Sequence, residues 1–245
     1  MSLERIRAVV RKELRDFRRN RFLVATMAVL PLIFLISPTL TLLRIPSDSQ
    51  ASVVAHAVRA SSLLLFVVPA VIPPIMAAYS VIGERDQGTL EPFLTTPIQS
   101  AELLLAKATA VFLPSVLVAY GIYFTFALVI RFGAAPAVSA AVWHAPQMLA
   151  QLVFTPLIAT WAIWVGIAMS VRARDVRVAQ QLATLASLPT IGVTTLLTLR
   201  VITPSVKLAV ALAIGLLVID FRAWRFVAKL FDRERLITGR PAQPS

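Results

Sequence analysis

The hydrophobic residues of this chain are gathered into long runs that contain no charged side chain. Five such runs occupy residues 22–43, 60–82, 108–130, 148–171 and 178–199. Because about 20 apolar residues in a helix cross the roughly 30 Å of a bilayer's hydrocarbon core, each run predicts a membrane-spanning helix. A sixth run, residues 206–222, reaches that length when Lys207 and Arg222 extend their charged ends to the membrane surfaces. The pattern predicts an all-α membrane protein with six spans in a single transmembrane domain over residues 1–245.

The composition supports this fold class. Hydrophobic residues make up 58% of the chain, and the mean hydropathy is +0.80. Helices of a soluble domain carry a polar face toward water, and five charge-free runs leave no room for such faces. The segments between the runs are short, so no separate extracellular domain is expected.

Charge placement predicts the orientation. Six spans put both termini on one side of the membrane, and 19 of the 24 lysines and arginines then lie on that side; the other five are Arg44, Arg59, Arg131, Arg200 and Lys207. Basic residues collect in cytoplasmic segments. We therefore expect a multi-pass protein of the cell (cytoplasmic or inner) membrane, with both termini, residues 83–107 and a tail over residues 223–245 in the cytoplasm. The net charge of +12 is spread over all these segments, so no nucleic acid is expected as a partner.

The first 21 residues predict an amphipathic helix. One stripe at helical spacing is apolar, and several basic residues lie off it; the stripe is Leu3, Ile6, Val10, Leu14 and Phe17, and the basic residues are Arg5, Lys12, Arg15 and Arg19. Such a helix is expected along the cytoplasmic face of the membrane, with lipid as a partner. It either anchors the chain or contacts another protein. The run over residues 22–43 is longer than a signal-peptide core and is expected to remain as a span.

Most kinds of catalytic chemistry find no support in the sequence. The chain has no cysteine, and His56 and His144 stand alone without the spacing of a metal site. No phosphate-binding loop of the GxxxxGK[ST] type occurs, so the chain is not expected to bind ATP or to be an enzyme. The five clear spans contain no ionisable residue, which argues against a proton-driven pump. Asp220, the one acidic residue near a span, is expected as a solvated carboxylate at the inner membrane surface.

Polar side chains within the spans leave two alternatives open. They either line an amphipathic route or form hydrogen bonds between packed helices; they include Tyr120, Tyr123, Thr125, Thr155, Thr160, Gln180 and Gln181. The sequence identifies no substrate-binding residue.

Residues 83–107 form a charged interruption between the second and third spans. Gly88 is suited to end a helix, Thr89 to cap a short helix that tolerates Pro92 in its first turn, and Pro97 to stop it. Ser100 is then expected to cap the helix that rises into the third span. The segment would display charged residues to the cytosol, either simply solvated or as a docking site.

This segment resembles the cytoplasmic signature of ABC-2 type transporter permeases. The residues that match the family pattern are Glu84-Arg85, Gly88-Thr89-Leu90-Glu91, Thr96-Pro97, Glu102 and Lys107. The amphipathic helix with Arg11-Lys12-Glu13-Leu14, the proline at Pro31 and the basic helix that ends in residues 231–236 are similar to the family in outline.

The resemblance implies a permease subunit that pairs with a second copy or a paralogue and with separate ABC ATP-binding subunits. Those partners would hold ATP and Mg²⁺, and this chain would hold no cofactor. The matched residues and the amino-terminal helix would contact the ATPase, and export of a hydrophobic or amphipathic substrate would be the usual direction. A non-transporting membrane scaffold or assembly factor, and an ATP-independent carrier or channel, are the alternatives. The family's longer hairpin between spans five and six has little room here unless the fifth span breaks near Pro189 and Gly192.

Overall fold

Ten helices make up the regular structure of the part of the chain that the computed structural model describes, residues 3–86, 100–173, 176–185, 187–198 and 205–230. They are α1 (Leu3–Arg19), α2 (Arg21–Leu43), α3 (Ala51–Leu64), α4 (Val67–Asp86), α5 (Ser100–Gly133), α6 (Pro136–Val142), α7 (Ala145–Arg172), α8 (Val176–Thr184), α9 (Ser187–Thr198) and α10 (Val206–Leu230). The predicted all-α class is confirmed. The predicted short helix between Thr89 and Pro97 lies outside the described residues.

Four helical stretches of the described residues are long and apolar enough to cross a membrane. They are Arg21–Leu43, Ala51–Ile82, Ala101–Gly133 and Ala145–Val171. Each contains or matches one of the first four predicted spans, so a membrane protein with several spans is confirmed. The count of six is not confirmed and remains a prediction, because the fifth and sixth runs do not meet the same description.

The predicted fifth span, residues 178–199, is interrupted just before Pro189, near the place where the sequence allowed for a break, and it remains a prediction as a span. The structure divides it into α8, with nine residues, and α9, with 12 residues. At about 1.5 Å per residue, neither helix alone reaches across the roughly 30 Å of hydrocarbon. The second predicted span is interrupted in a similar way, between α3 and α4 at Leu65 and Phe66.

A proline follows each of the two interruptions at the same distance. Pro69 is the third residue of α4, and Pro189 is the third residue of α9. An unbroken helix would need their missing N–H groups to reach the carbonyls of Leu65 and Leu185. Those carbonyls instead accept from Val68 N at 3.2 Å and from Leu188 N at 3.1 Å. Tight turns thus replace the helical hydrogen bonds that proline cannot make.

Two segments expected as connections are helical. The helix α3 begins at Ala51, inside the connection expected over residues 44–59, and α6 lies inside the one expected over residues 131–147. One buried apolar cluster joins these helices to the ends of α2 and α5; it includes Leu42, Val54, Val58, Phe126, Ile130 and Val142. The cluster closes the end of the bundle that carries α3 and α6.

The helix α4 lies at the centre of the bundle and packs closely on α7. A Cβ added at Gly166 of α7 would lie 2.8 Å from Pro74 Cα and 2.9 Å from Pro74 O. Small buried residues, including Ala77 on α4 and Ala162 on α7, accompany this approach. Such small-residue contacts are how membrane helices bring their backbones together.

The helix α1 forms as predicted, and its predicted stripe faces the bundle except at Leu3: Phe17 is buried, and Ile6, Val10 and Leu14 are half-buried against the main apolar cluster. Val9, Glu13 and Phe17 are the buried residues, whereas Leu3 is 82% exposed. Val9 and Phe17 join the main apolar cluster together with Leu103 of α5. The helix therefore packs against the bundle, with a carboxylate in the middle of its buried face.

A substitution at Gly166 tests the close contact of α4 and α7. We expect Gly166→Ala to lower the free energy of unfolding by about 1–3 kcal/mol, because the new methyl group overlaps the backbone at Pro74. Gly121→Ala is the matched control, since a Cβ there meets no atom within 4 Å. Thermal unfolding of the purified protein in detergent measures both. Equal effects of the two variants would contradict the close contact.

Candidate functional site

Three helices meet at a buried cluster of polar side chains, which we call the Glu13–Ser80–Lys107 cluster. Glu13 comes from α1, Ser80 from α4 and Lys107 from α5. Lys107 Nζ donates to Glu13 Oε1 at 2.8 Å, to the Ser80 carbonyl at 2.8 Å and to Ser80 Oγ at 3.2 Å. Ser80 Oγ in turn donates to Glu13 Oε2 at 2.8 Å. The cluster joins one cation, one anion and one hydroxyl from three different helices.

Both charged groups of the cluster are removed from solvent. Lys107 is 1% exposed and Glu13 is 3% exposed. An ammonium has three N–H donors, and the three acceptors in the cluster match that number. Removing one partner of a buried ion pair costs about 3–5 kcal/mol, because the other charge is left without compensation. The cluster therefore ties α1, α4 and α5 to one another in this arrangement.

Two residues of the cluster lie close to residues 87–99 along the chain. Ser80 lies near the carboxyl end of α4 and Lys107 near the amino end of α5. These two helix ends flank residues 87–99, the segment that carries six of the 14 predicted contact residues. The amino-terminal helix is thus bound to both ends of that segment.

A second charged contact joins α1 to α5. Arg5 Nη1 lies 3.9 Å from Glu102 Oε2, and the Glu102 side chain is buried while that of Arg5 is partly exposed. On the same helix, Lys12 Nζ lies 3.7 Å from Glu13 Oε1 and 3.5 Å from Asp16 Oδ2. Charged groups therefore continue from the buried cluster to the surface of α1.

The structure describes only some of the predicted site residues. In α1, Arg11 is exposed, Lys12 and Leu14 are half-buried, and Glu13 is buried. The structure buries Glu102 and Lys107. It describes Glu84 and Arg85 only as backbone in α4. The others lie outside the described residues: Gly88, Thr89, Leu90, Glu91, Thr96 and Pro97.

Sequence reasoning missed Ser80 and did not pair Glu13 with Lys107. Ser80 looked like one of several small polar residues in an apolar run, and nothing in its neighbourhood marked it. The spacing of Glu13 did carry a signal, because it falls four residues from both Val9 and Phe17 on the buried face.

Asp220 departs from its expected solvated position. It is 7% exposed, and neither carboxylate oxygen has a hydrogen-bond partner. Neither neighbouring arginine makes a described contact with it; Arg225 instead lies over the ring of Phe221 at 4.4 Å. Asp220 is buried because α10 turns it toward the bundle and turns Arg225 outward.

No group of three or more histidine, cysteine, aspartate or glutamate side chains comes together within the described residues. The charged cluster carries one carboxylate, and its other oxygen atoms belong to Ser80. Its chemistry is therefore that of an ion pair between helices.

Comparison with known families gives a match over most of the chain, and comparison with curated proteins gives none. The matching family is described as "ABC-2 family transporter protein", and the match covers residues 7–232. This range contains the buried cluster, the segment between α4 and α5, and all the stretches suited to cross a membrane. The chain belongs to the ABC-2 family of transporter proteins.

Proposed function

We propose that this chain is the permease subunit of an ABC exporter and that the Glu13–Ser80–Lys107 cluster transmits movement from a separate ATPase subunit into the bundle. Family membership supports the permease role and a partnership with an ABC ATP-binding subunit. The observation that carries the coupling proposal is the cluster itself, because it ties α1 to both helices that flank residues 87–99. ATP and Mg²⁺ would be held by the partner.

The cluster gives a physical route for coupling. A force applied by the ATPase to α1 or to residues 87–99 reaches α4 and α5 together, since separating these helices would strand a buried charge. From α4 the movement passes to α7 through the backbone contact at Gly166. Coupling of this kind requires two arrangements of the bundle, one favoured when the ATPase binds ATP and one when it does not.

The proposed ATPase contacts divide into two groups. Glu84, Arg85 and the residues from Gly88 to Pro97 would contact the ATPase directly, together with Arg11 on the exposed face of α1. Glu102 and Lys107 are buried within this chain, so their part would be to hold α1 against α5. Lys12 is half-buried, so its exposure is intermediate between those of the two groups.

The proposed membrane arrangement keeps six spans. The short helices α8 and α9 would together replace the fifth span, and α10 would form the sixth. The protein would lie in the inner membrane of the cell, with both termini in the cytoplasm. Exposed apolar side chains on α2, such as Ile33 and Ile36, would meet lipid or a second permease copy in an active dimer.

A first prediction concerns the stability that the cluster supplies. Lys107→Met removes the buried cation that donates to Glu13 and leaves only the more distant, half-buried Lys12 near that carboxylate, so we expect the free energy of unfolding to fall by about 3 kcal/mol. The double variant Glu13→Gln/Lys107→Met removes both charges and should lose less than the single variant. Arg15→Met, at an exposed position of α1, is the control, with an expected change within about 0.5 kcal/mol. Thermal unfolding in detergent reports all three.

A second prediction separates coupling from stability. The double variant Glu13→Gln/Lys107→Met is expected to fold and to bind the ATPase, but to transport less substrate per ATP hydrolysed. A coupling free energy of roughly 1–3 kcal/mol corresponds to a loss of about 5-fold to 150-fold. Transport and phosphate release are measured together in vesicles that hold the full complex. An unchanged ratio in a folded double variant would remove the cluster from the coupling route.

A third prediction tests the direct contacts. Reversing Glu84 and Glu91 to lysine should abolish co-purification with the partner ATPase, because two acidic contacts become repulsive. Asp48→Lys is the matched control, since it changes an exposed acid on the opposite side of the predicted membrane topology. Unchanged association and transport in the double reversal would contradict the proposed contacts.

Transport that needs no ATPase would favour a carrier or channel, and ATPase binding without transport would favour a scaffold.

A fourth prediction tests the orientation. The chain contains no cysteine, so a single introduced cysteine reports its own position. A membrane-impermeant maleimide should label Asp48→Cys in intact cells and label Arg15→Cys only after the membrane is opened. The reverse pattern would show that α1 lies outside the cell.

A further inference from the structure

The carboxyl-terminal part of α10 has an exposed side that faces away from the bundle. Its inward side carries Asp220 and Val227, which are buried, and Trp224, whose ring centre lies 5.4 Å from that of Trp164 on α7. At about 100° per residue, three basic residues fall roughly opposite Asp220 and Val227, within an arc of about 60°. They are Arg222, Arg225 and Lys229. All three side chains are exposed, and we call them the basic stripe of α10.

The same outward side of α10 is apolar before it becomes basic. Large apolar side chains that are each more than half exposed precede the basic stripe; they are Val210, Ile214, Leu217, Val218 and Phe221. A helix that passes from hydrocarbon into the headgroup region has this order, because apolar side chains meet acyl chains and long basic side chains reach the phosphates. The outward side of α10 therefore matches a lipid from its acyl chains to its headgroup.

Apolar and basic side chains line one groove where the two stretches meet. The lining residues all belong to α10, and they are Leu217, Val218, Phe221, Arg222, Arg225, Phe226 and Lys229. The guanidinium carbon of Arg225 lies 4.4 Å from the centre of the Phe221 ring. This cation–π contact keeps the charge beside an apolar surface. One groove thus offers contacts to an acyl chain and to an anionic headgroup.

The positive charge of the basic stripe is not neutralised by the part of the chain that the structure describes. No acid there pairs with Arg222, Arg225 or Lys229. Asp220, the nearest acid on α10, lies on the buried side. Like charges three and four residues apart on a helix repel one another, so an anion bound among them is stabilising. Guanidinium groups suit a phosphate, because each can donate two parallel hydrogen bonds to its oxygens.

We propose that the basic stripe of α10 binds the headgroup of an anionic phospholipid. The phosphate lies between Arg222 and Arg225, Lys229 extends to the rest of the headgroup, and an acyl chain packs along Val218 and Phe221. The inference rests on the proposed membrane arrangement, in which α10 is the sixth span and ends in the cytoplasm; it does not rest on transport. Anionic lipids give the cytoplasmic leaflet its negative surface potential. An acidic protein surface would match the basic stripe but would leave the apolar half of the groove uncovered.

The experiment places a reporter in the groove of the full-length chain. Because the chain has no cysteine, Val218→Cys carries a single bimane fluorophore at a lining position. The labelled chain is placed in phosphatidylcholine nanodiscs that contain a small fraction of lipid with brominated acyl chains, which quench bimane on contact. The brominated lipid is phosphatidylglycerol, which is anionic, or phosphatidylcholine, which carries a phosphate but no net charge. We expect phosphatidylglycerol to quench at several-fold lower fractions.

Charge variants assign that preference to the basic stripe. A basic group near an anionic lipid contributes about 5-fold in affinity, so Arg222→Gln/Arg225→Gln should lower the preference for phosphatidylglycerol by at least about 5-fold. Arg222→Lys/Arg225→Lys keeps both charges and should retain most of it. The matched control is Arg44→Gln/Lys207→Gln, which removes the same charge from exposed positions at the other predicted membrane surface. It should leave the preference unchanged.

A second reporter controls for the nature of the groove. Leu40 and Arg44 belong to a groove at the end of α2 that is also mainly apolar, but Arg44 is its single basic residue. Bimane at Leu40→Cys should therefore be quenched nearly equally by the two lipids.

Three results would overturn the anionic-lipid site. The first is equal quenching at Val218 by the two lipids, and the second is a preference that survives Arg222→Gln/Arg225→Gln. The third is a preference abolished by excess soluble glycerol phosphate, which would make a free phosphate compound the ligand. If the second result comes with loss of ATPase co-purification in that variant, the basic stripe contacts a protein.

Failure of this site is distinguishable from failure of the proposed function. The chain is measured without an ATPase, so a preference for phosphatidylglycerol stands whether or not the complex transports. Equal quenching by both lipids would leave α10 in the membrane and overturn the lipid site alone. No quenching by either lipid would overturn the lipid site together with the proposed sixth span.

Discussion

The fold depends on neutralising one ammonium group inside the bundle. Lys107 enters the core at the start of the long helix α5, where no water reaches its Nζ atom. Only an arrangement that brings a carboxylate and further acceptors to that point makes its burial tolerable. Glu13 and Ser80 meet this need, and in doing so they fix where α1 lies. The amino-terminal helix is therefore bound to the bundle by charge as well as by the apolar contacts of Val9 and Phe17.

The centre of the bundle is organised by small residues and prolines. Gly166 lets the backbones of α4 and α7 approach closely, so these two helices are packed without intervening side chains at that point. Prolines act differently according to their place. Pro73 and Pro74 lie within α4, which continues through them, whereas Pro69 and Pro189 follow interruptions and lie in first turns. The helix α4, which carries Ser80, thus packs directly on α7, and residues of both interruptions line an apolar cavity beside α7.

The sequence predicted the class of fold well because hydrocarbon imposes simple requirements. Long apolar runs have to be helical in a membrane, and the first four runs coincide with long apolar helices. In the fifth run the sequence indicated a possible break near Pro189, and the structure places an interruption just before that residue. The helices α3 and α6 were missed since their short segments flank charged residues and resemble connections. Asp220 was misplaced because its two arginine neighbours suggested a solvated helix end, while its register on α10 turns it inward.

What the sequence by itself determined was the nature of the segments: which runs are apolar helices, where the basic charge collects, and which family the segment over residues 83–107 resembles. These are local properties, read from neighbouring residues. The tertiary structure decided which side chains interact with one another. Glu13 and Lys107 are 94 residues apart in the chain, and Glu13 and Ser80 are 67 residues apart. Their meeting is set by the packing of whole helices, and so is the burial of Asp220 without a hydrogen-bond partner. Only the folded bundle shows which charges are compensated and which are not.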